Sequence, residues 1–261
     1  MAIFRHLKEA LRPAVDLIYP PRCPICGAAL AEQNGLCADC WSELVIPSKP
    51  GCSSCQRPYG AGVIVQETAQ CAPCLAHPPR HDGIASATVY NDTSRKLILS
   101  FKHGKRIALA NMLSKLMAAR LPELEGEWLF IPVPLHRTRL WSRGFNQSAL
   151  LARQIAKIAK CPLLVDGLIR TKRTKALGGL GKKARERMLQ GSMVISRSRK
   201  SSIIGANIVL VDDVFTSGAT SDACVKALRQ GGANKVLICC FARVLDEELS
   251  VRRPERETPE V

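Results

Sequence analysis

Residues 209–220 read VLVDDVFTSGAT. With Asn207 and Ile208 before it, the apolar opening gives NIVLV over 207–211, a short run with the character of a buried strand. Two adjacent aspartates, Asp212 and Asp213, follow, and then a group of small and hydroxyl-bearing residues around Gly218. The pattern predicts a strand, a loop over 212–217, and a helix from Gly218 to about Gln230 capped by Thr216 or Ser217. The first turn of such a helix offers backbone N–H groups to an anion, and glycine lets the anion come close. Carboxylates repel an anion. The acid pair must therefore engage something attached to it, such as the hydroxyls of a sugar or a magnesium ion.

Outward from this stretch, apolar runs alternate with helical patterns. GIASATVY (83–90), WLFIPVPL (128–135), CPLLVDGLIR (161–170), GSMVI (191–195) and NKVLICCFARV (234–244) read as strands. RKLILSFKHGKRIALANMLSKLMAARL (95–121) reads as one or two helices around a turn at 102–105, and SALLARQIAKIAK (148–160) as another helix. Strand–helix–strand alternation predicts an α/β domain with a parallel sheet covered on both faces. Ligands of such sheets bind at the C-terminal strand ends, where the acid pair falls.

The front of the chain is of another kind. Eight of the twelve cysteines form four CxxC pairs: Cys23/Cys26, Cys37/Cys40, Cys52/Cys55 and Cys71/Cys74. Without a secretion signal, metal binding is favoured over disulfides. Two CxxC turns complete the four-sulfur tetrahedral shell of a structural zinc ion and leave no open position for chemistry. Ten residues separate the first two pairs and fifteen the second two, so two consecutive Zn2+ sites are the simplest arrangement, with interleaved ligation as the alternative. Cys161, Cys224, Cys239 and Cys240 lie in apolar patterns and read as small buried hydrophobes. His77 and His81 are left out of the metal sites, because the pairs already fill two shells.

The 261 residues carry a net charge of +16, and residues 131–200 hold 17 Lys/Arg against two acids. So localised an excess favours a polyanionic partner, nucleic acid or a phosphate-rich small molecule. No apolar run approaches the roughly 20 residues of a membrane span. MAIFRHLKEALRPAVDLIYP reads as an amphipathic helix rather than a signal peptide, so a cytoplasmic protein is expected. The expected organisation is an N-terminal amphipathic helix (1–21), a double zinc-ribbon-like domain (22–80), the α/β domain (81–244) and a flexible charged tail (245–261).

VLVDDVFTSGAT resembles the phosphoribosyl-pyrophosphate motif of type I phosphoribosyltransferases. That resemblance implies that Asp212 and Asp213 hold the ribose hydroxyls, that Thr216, Ser217, Gly218, Ala219 and Thr220 cradle the 5′-phosphate, and that Mg2+ accompanies the pyrophosphate. IPVPLHRTRLWSRGFNQSALLA (131–152), FKHGK (101–105) and the four cysteine pairs are together similar to the ComF competence-protein family. By position, the loop over 134–147 matches the pyrophosphate loop, with His136, Arg137, Arg139 and Arg143 supplying charge and Gly144 close approach. Residues 171–187 match the flexible hood loop, to which Lys175 and Arg185 belong; the family's glutamine near Leu177, asparagine near Met188 and aromatic near Met193 are missing here.

Two functions are implied. One is transfer of phosphoribose from phosphoribosyl pyrophosphate to an unidentified nitrogen nucleophile, with charge stabilisation of the leaving pyrophosphate as the main catalytic effect. The other is an accessory role in DNA uptake during natural transformation, beside a helicase-like partner, with single-stranded DNA on the basic block and the phosphoribosyl site as sensor or vestige. Trp141 and Phe145 are the only aromatics in that block, so electrostatics should dominate.

Overall fold

A computed structural model describes residues 16–33, 35–59, 62–103, 106–172 and 187–245. In chain order the elements are α1 (Ala38–Ser42), α2 (Ala72–Ala76), β1 (Gly83–Val89), α3 (Asp92–His103), α4 (Leu109–Ala118), β2 (Trp128–Pro132), α5 (Arg137–Arg143), α6 (Gln147–Ala159), β3 (Leu168–Arg170), β4 (Met193–Ile195), α7 (Lys200–Ile203), β5 (Asn207–Phe215), α8 (Ala219–Gln230) and β6 (Lys235–Arg243). Most of the N-terminal segment 1–21, the hood-loop residues Lys175 and Arg185, and the tail beyond Leu245 lie outside the described residues.

The central sheet is parallel, in the order β1-β6-β5-β2. Alternate residues of β5 feed opposite layers. Val209 and Val211 pack with Leu113 and Met117 of α4 and Leu151 and Ile155 of α6. Ile208 and Leu210 pack with Val225 and Leu228 of α8 and with Leu168 of β3. Burial on both faces explains why NIVLV is apolar throughout rather than alternating. Each such side chain adds about 1.5–3 kcal/mol relative to exposure.

Two expected strands lie elsewhere. From 161–170 only Leu168–Arg170 forms a strand, and it pairs antiparallel with Met193–Ile195 as a separate two-stranded sheet. Beside the main sheet, the segment makes a single parallel bridge, Phe130 to Leu163. Pro162 lacks the N–H for a longer ladder, and the chain turns at once, with Gly167 N bonding Leu164 O. The expected basic loop over 134–147 contains a helix. The His136 ring accepts from Thr138 N at its start, and Gly144 ends it at φ +80°. None of this helix's residues is buried, so no apolar stripe announces it.

Candidate functional site

β5 is longer than its apolar run predicts. Pairing with β6 continues through Asp212–Cys240, Val214–Ala242 and Phe215–Arg243, so the two aspartates belong to the strand and not to a loop. Strand geometry fixes them, and each is only 9% exposed. Asp212 Oδ1 accepts from its neighbour's backbone N–H (2.9 Å) and from Ser148 Oγ on α6 (3.1 Å). Asp213 Oδ2 lies 2.8 Å from Lys102 Nζ, on α3. Burial, and then the charge of Asp213, push the Asp212 carboxyl up to about 7, against the lowering effect of the Asp213 N–H, Lys102 and Ser148. Such a carboxyl is held ready for a hydroxyl or a cation that would let it ionise.

The small-residue segment follows directly. Gly218, not Thr216 or Ser217, is the N-cap of α8, in the left-handed region at φ +77° and with no side-chain capping bond. A Cβ there would lie 2.8 Å from Phe215 Cζ, so any other residue would displace that ring in addition to straining the backbone. Ser217 and Thr220 are half-buried, Thr216 is exposed and Ala219 is buried. The first-turn N–H groups of α8 have no helical acceptor and stay available to an anion.

Helix α5 borders this end of the sheet. Arg143 Nη1 donates to Gln147 Oε1 at 3.3 Å. Half-buried Arg139 is near enough to Arg170 on β3 that its charge, after burial, lowers the Arg170 pKa, while Asp212 acts in the opposite sense. Arg137 and Gly144 are exposed, and His136 Nδ1 lies 2.9 Å from Thr138 Oγ1. At the described ends of the segment expected to form the hood, Thr171 N bonds Ser192 O (2.9 Å) and Lys172 Nζ donates to Gln190 O (2.8 Å). Sequence reasoning gives no role to Lys102, Ser148 or Arg170. The first two stand in quoted motifs, FKHGK and RGFNQS, but only the fold brings them to the acids.

The cysteines resolve into two consecutive clusters, Cys23/Cys26/Cys37/Cys40 and Cys52/Cys55/Cys71/Cys74, each with its sulfurs within 4.8 Å of one another. Both are built alike. The first pair sits in a turn whose next residue is left-handed, Gly27 (φ +78°) or Gln56 (φ +56°), and the turn is flanked by an antiparallel bridge, Arg22–Ala29 or Gly51–Pro58. The second pair opens a short helix, with Cys37 or Cys71 as N-cap. Burial opposes ionisation of Cys23 and Cys52, yet backbone N–H groups aimed at each sulfur bring both thiols down to about 6. Burial and the neighbouring sulfurs push Cys40 and Cys74 up, the crowding of like groups that a bound cation would relieve; four converging sulfurs fit zinc. His81 is not in either cluster; its ring packs edge-on against Phe215. Cys224, Cys239 and Cys240 are buried as expected, and Cys161 is half-buried.

These features together define a phosphoribosyltransferase-type domain joined to a double zinc ribbon. Residues 14–75 match the family model of a double zinc ribbon domain, and residues 146–260 that of a phosphoribosyl transferase domain. Competence protein F of Haemophilus influenzae is 32% identical over 230 residues, spanning 85% of this chain and 96% of that protein. DNA utilization protein YhgH of Escherichia coli K12 is 29% identical over 236 residues, 88% of this chain and 100% of that one. The chain belongs to the ComF competence-protein family. Among solved structures, the glutamine phosphoribosylpyrophosphate amidotransferase of B. subtilis matches at 22% identity and a TM-score of 0.33, over 49% of this chain and 25% of its own. No helix of the described residues is long and apolar enough to cross a membrane.

Proposed function

We propose that the C-terminal end of the sheet binds phosphoribosyl pyrophosphate together with Mg2+, and that the protein serves DNA uptake. The observation that carries this reading is the buried acid pair on β5 next to a glycine-led helix start, oxygen ligands beside anion donors. Asp212 and Asp213 would engage the ribose hydroxyls, and residues 216–220 the 5′-phosphate. Arg143, with His136 and Gly144 around it, would face the pyrophosphate, whereas Arg137, expected in the same loop, lies exposed on the outer side of α5; Lys175 and Arg185 would belong to the closing hood. Oxygen donors suit a hard cation, so Mg2+ fits this site; when bound it would neutralise charge on the pyrophosphate. Calorimetry with phosphoribosyl pyrophosphate and Mg2+ tests the reading, with Asp212→Asn/Asp213→Asn as the control. Absence of heat from the unaltered protein would refute it.

If the bound ligand reacts, pyrophosphate release across a panel of bases and amines will reveal it. Among the described residues the site offers arginines and amides to stabilise charge. Burial and Asp213 bring Asp212 to about 7, so its protonation changes in the neutral range. The names of the relatives, Competence protein F and DNA utilization protein, support a role with DNA, and the basic stretch 131–200 favours single-stranded DNA as the polymer. A helicase-like protein would be the partner in that role, and the cytoplasm its place. Absence of binding to an oligonucleotide at low salt would remove this second reading.

A further inference from the structure

Helix α5 displays an aromatic side chain that its packing does not explain. Trp141 is 91% exposed and Leu140 40%, and no residue of the helix is buried. Tryptophan is enriched at interfaces, and an indole so open to water is accessible to a partner. The helix has two differently occupied faces. Residues four apart share a face, so Arg139 goes with Arg143 and Arg137 with Trp141. The first pair is half-buried and bears on Arg170 and Gln147 at the acid-pair end of the sheet. The second pair is exposed, a cation one turn before a flat ring. Acids are nearly absent nearby in sequence: between Ile131 and Arg170 there is one, Asp166, and it is paired with Arg199.

We propose that the outer face of α5 is a docking surface for single-stranded nucleic acid, with Trp141 stacking on a base and Arg137 contacting the adjoining phosphate. This rests on the reading that the chain handles single-stranded DNA, and it names the contact. Charge and shape choose the occupant. An exposed ring within a stretch rich in cations and poor in acids matches a polymer that presents π-faces and phosphates in alternation. A duplex buries its bases. A bilayer would require a continuous apolar face, and α5 offers two apolar residues in seven, against three arginines. The same helix turns Arg139 towards Arg170, which feels the charge of Asp212, and Arg143 onto Gln147, so a strand lying on its outer face would run along the rim of the proposed phosphoribosyl site.

The test is fluorescence anisotropy of labelled oligothymidylate with the full, zinc-loaded chain, using Trp141→Ala, Trp141→Phe and Arg137→Gln. Trp141→Ala is expected to weaken binding by about 5- to 150-fold without changing the salt slope, the loss of about one base stack. Trp141→Phe should recover much of it. Arg137→Gln should weaken binding and lower the salt slope by about one. Duplex DNA and phosphatidylglycerol vesicles should be insensitive to Trp141→Ala. If the unaltered protein binds oligothymidylate and Trp141→Ala binds it equally well, the docking surface is refuted while the DNA reading stands. If the unaltered protein binds no oligothymidylate at low salt, both fall. A response to vesicles that depends on Trp141, without one to oligothymidylate, would reassign the face to membranes.

Discussion

Asp212→Asn should stabilise the fold and abolish ligand binding together. The Asp212 carboxyl titrates near 7 in the folded chain, against an ordinary value of 3.8. A carboxyl raised in this way favours folding least when it must be ionised. Below about pH 4 it is protonated in both folded and unfolded chains and has no effect. Between pH 4 and pH 7 the unfolded chain sheds its proton more readily, so stability falls as pH rises, and above about pH 8 the loss is complete. About three pKa units at 1.36 kcal/mol each give a penalty of about 4 kcal/mol. The asparagine carbonyl can keep the bonds from Asp213 N and Ser148 Oγ, and an imperfectly satisfied amide N–H returns about 1 kcal/mol of the gain. The net stabilisation is about 3 kcal/mol at pH 8, and close to zero at pH 4. Urea unfolding of both proteins at the two pH values measures it, with a midpoint shift of at least about 1 M expected at the higher pH. A variant no more stable than the parent at pH 8, or equally stabilised at both, would refute the electrostatic account. Phosphoribosyl pyrophosphate with Mg2+ should then protect the parent and leave the variant unchanged.

Gly218→Ala meets both a φ of +77° and the Phe215 ring at 2.8 Å. A loss of about 1–3 kcal/mol in thermal unfolding is expected, with weaker phosphoribosyl pyrophosphate binding by calorimetry. Lys102→Met removes the cation beside Asp213 and one of the influences that hold Asp212 down. The Asp212 carboxyl should rise further, moving the pH midpoint for ligand binding upwards in a titration followed by calorimetry. Elemental analysis should find about two zinc ions per chain, and Cys52→Ser should leave one.

How much of this can be read from sequence depends on whether the signal is local. The buried strands announce themselves because burial on both faces leaves no polar position, as in Ile208–Val211, and the cysteine spacing states its chemistry in four-residue turns. The acid pair is visible as chemistry but falls one element away from its expected place, since a polar residue ends an apolar pattern even where the ladder runs on to Phe215. Helix α5 is invisible for the opposite reason: its cap and its terminal Gly144 mark it, but with nothing buried it has no period. Lys102 and Ser148 reach the acids from α3 and α6, across sequence separations of 111 and 64 residues. Contacts of that kind are made by the fold, and no short-range pattern encodes them.

That origin of Lys102 ties the cysteine ribbon to the candidate ligand site. Cys37 caps α1 and Cys40 lies within it, and its C-cap, Glu43, holds the start of α3: Asn91 Nδ2 donates to the Glu43 carbonyl at 2.6 Å and Thr93 Oγ1 to its carboxylate. Val89 N bonds Val45 O at 2.7 Å, and buried Leu44 joins the core that contains Leu97 and Phe101 of α3. The far end of the same helix carries Lys102 to Asp213. The first cysteine cluster thus braces one end of a helix whose other end places Lys102 against the acid pair. Cys37→Ser/Cys40→Ser, in the full chain, should weaken phosphoribosyl pyrophosphate binding by about tenfold. If the effect runs through α3, adding it to Lys102→Met should cost little more than either change alone, because both act on one contact. Fully additive losses would break this link and leave the ribbon as an independent module, and Cys71→Ser/Cys74→Ser serves as the comparison, since the second cluster meets the sheet elsewhere, where Gln56 Oε1 accepts from Ser86 N.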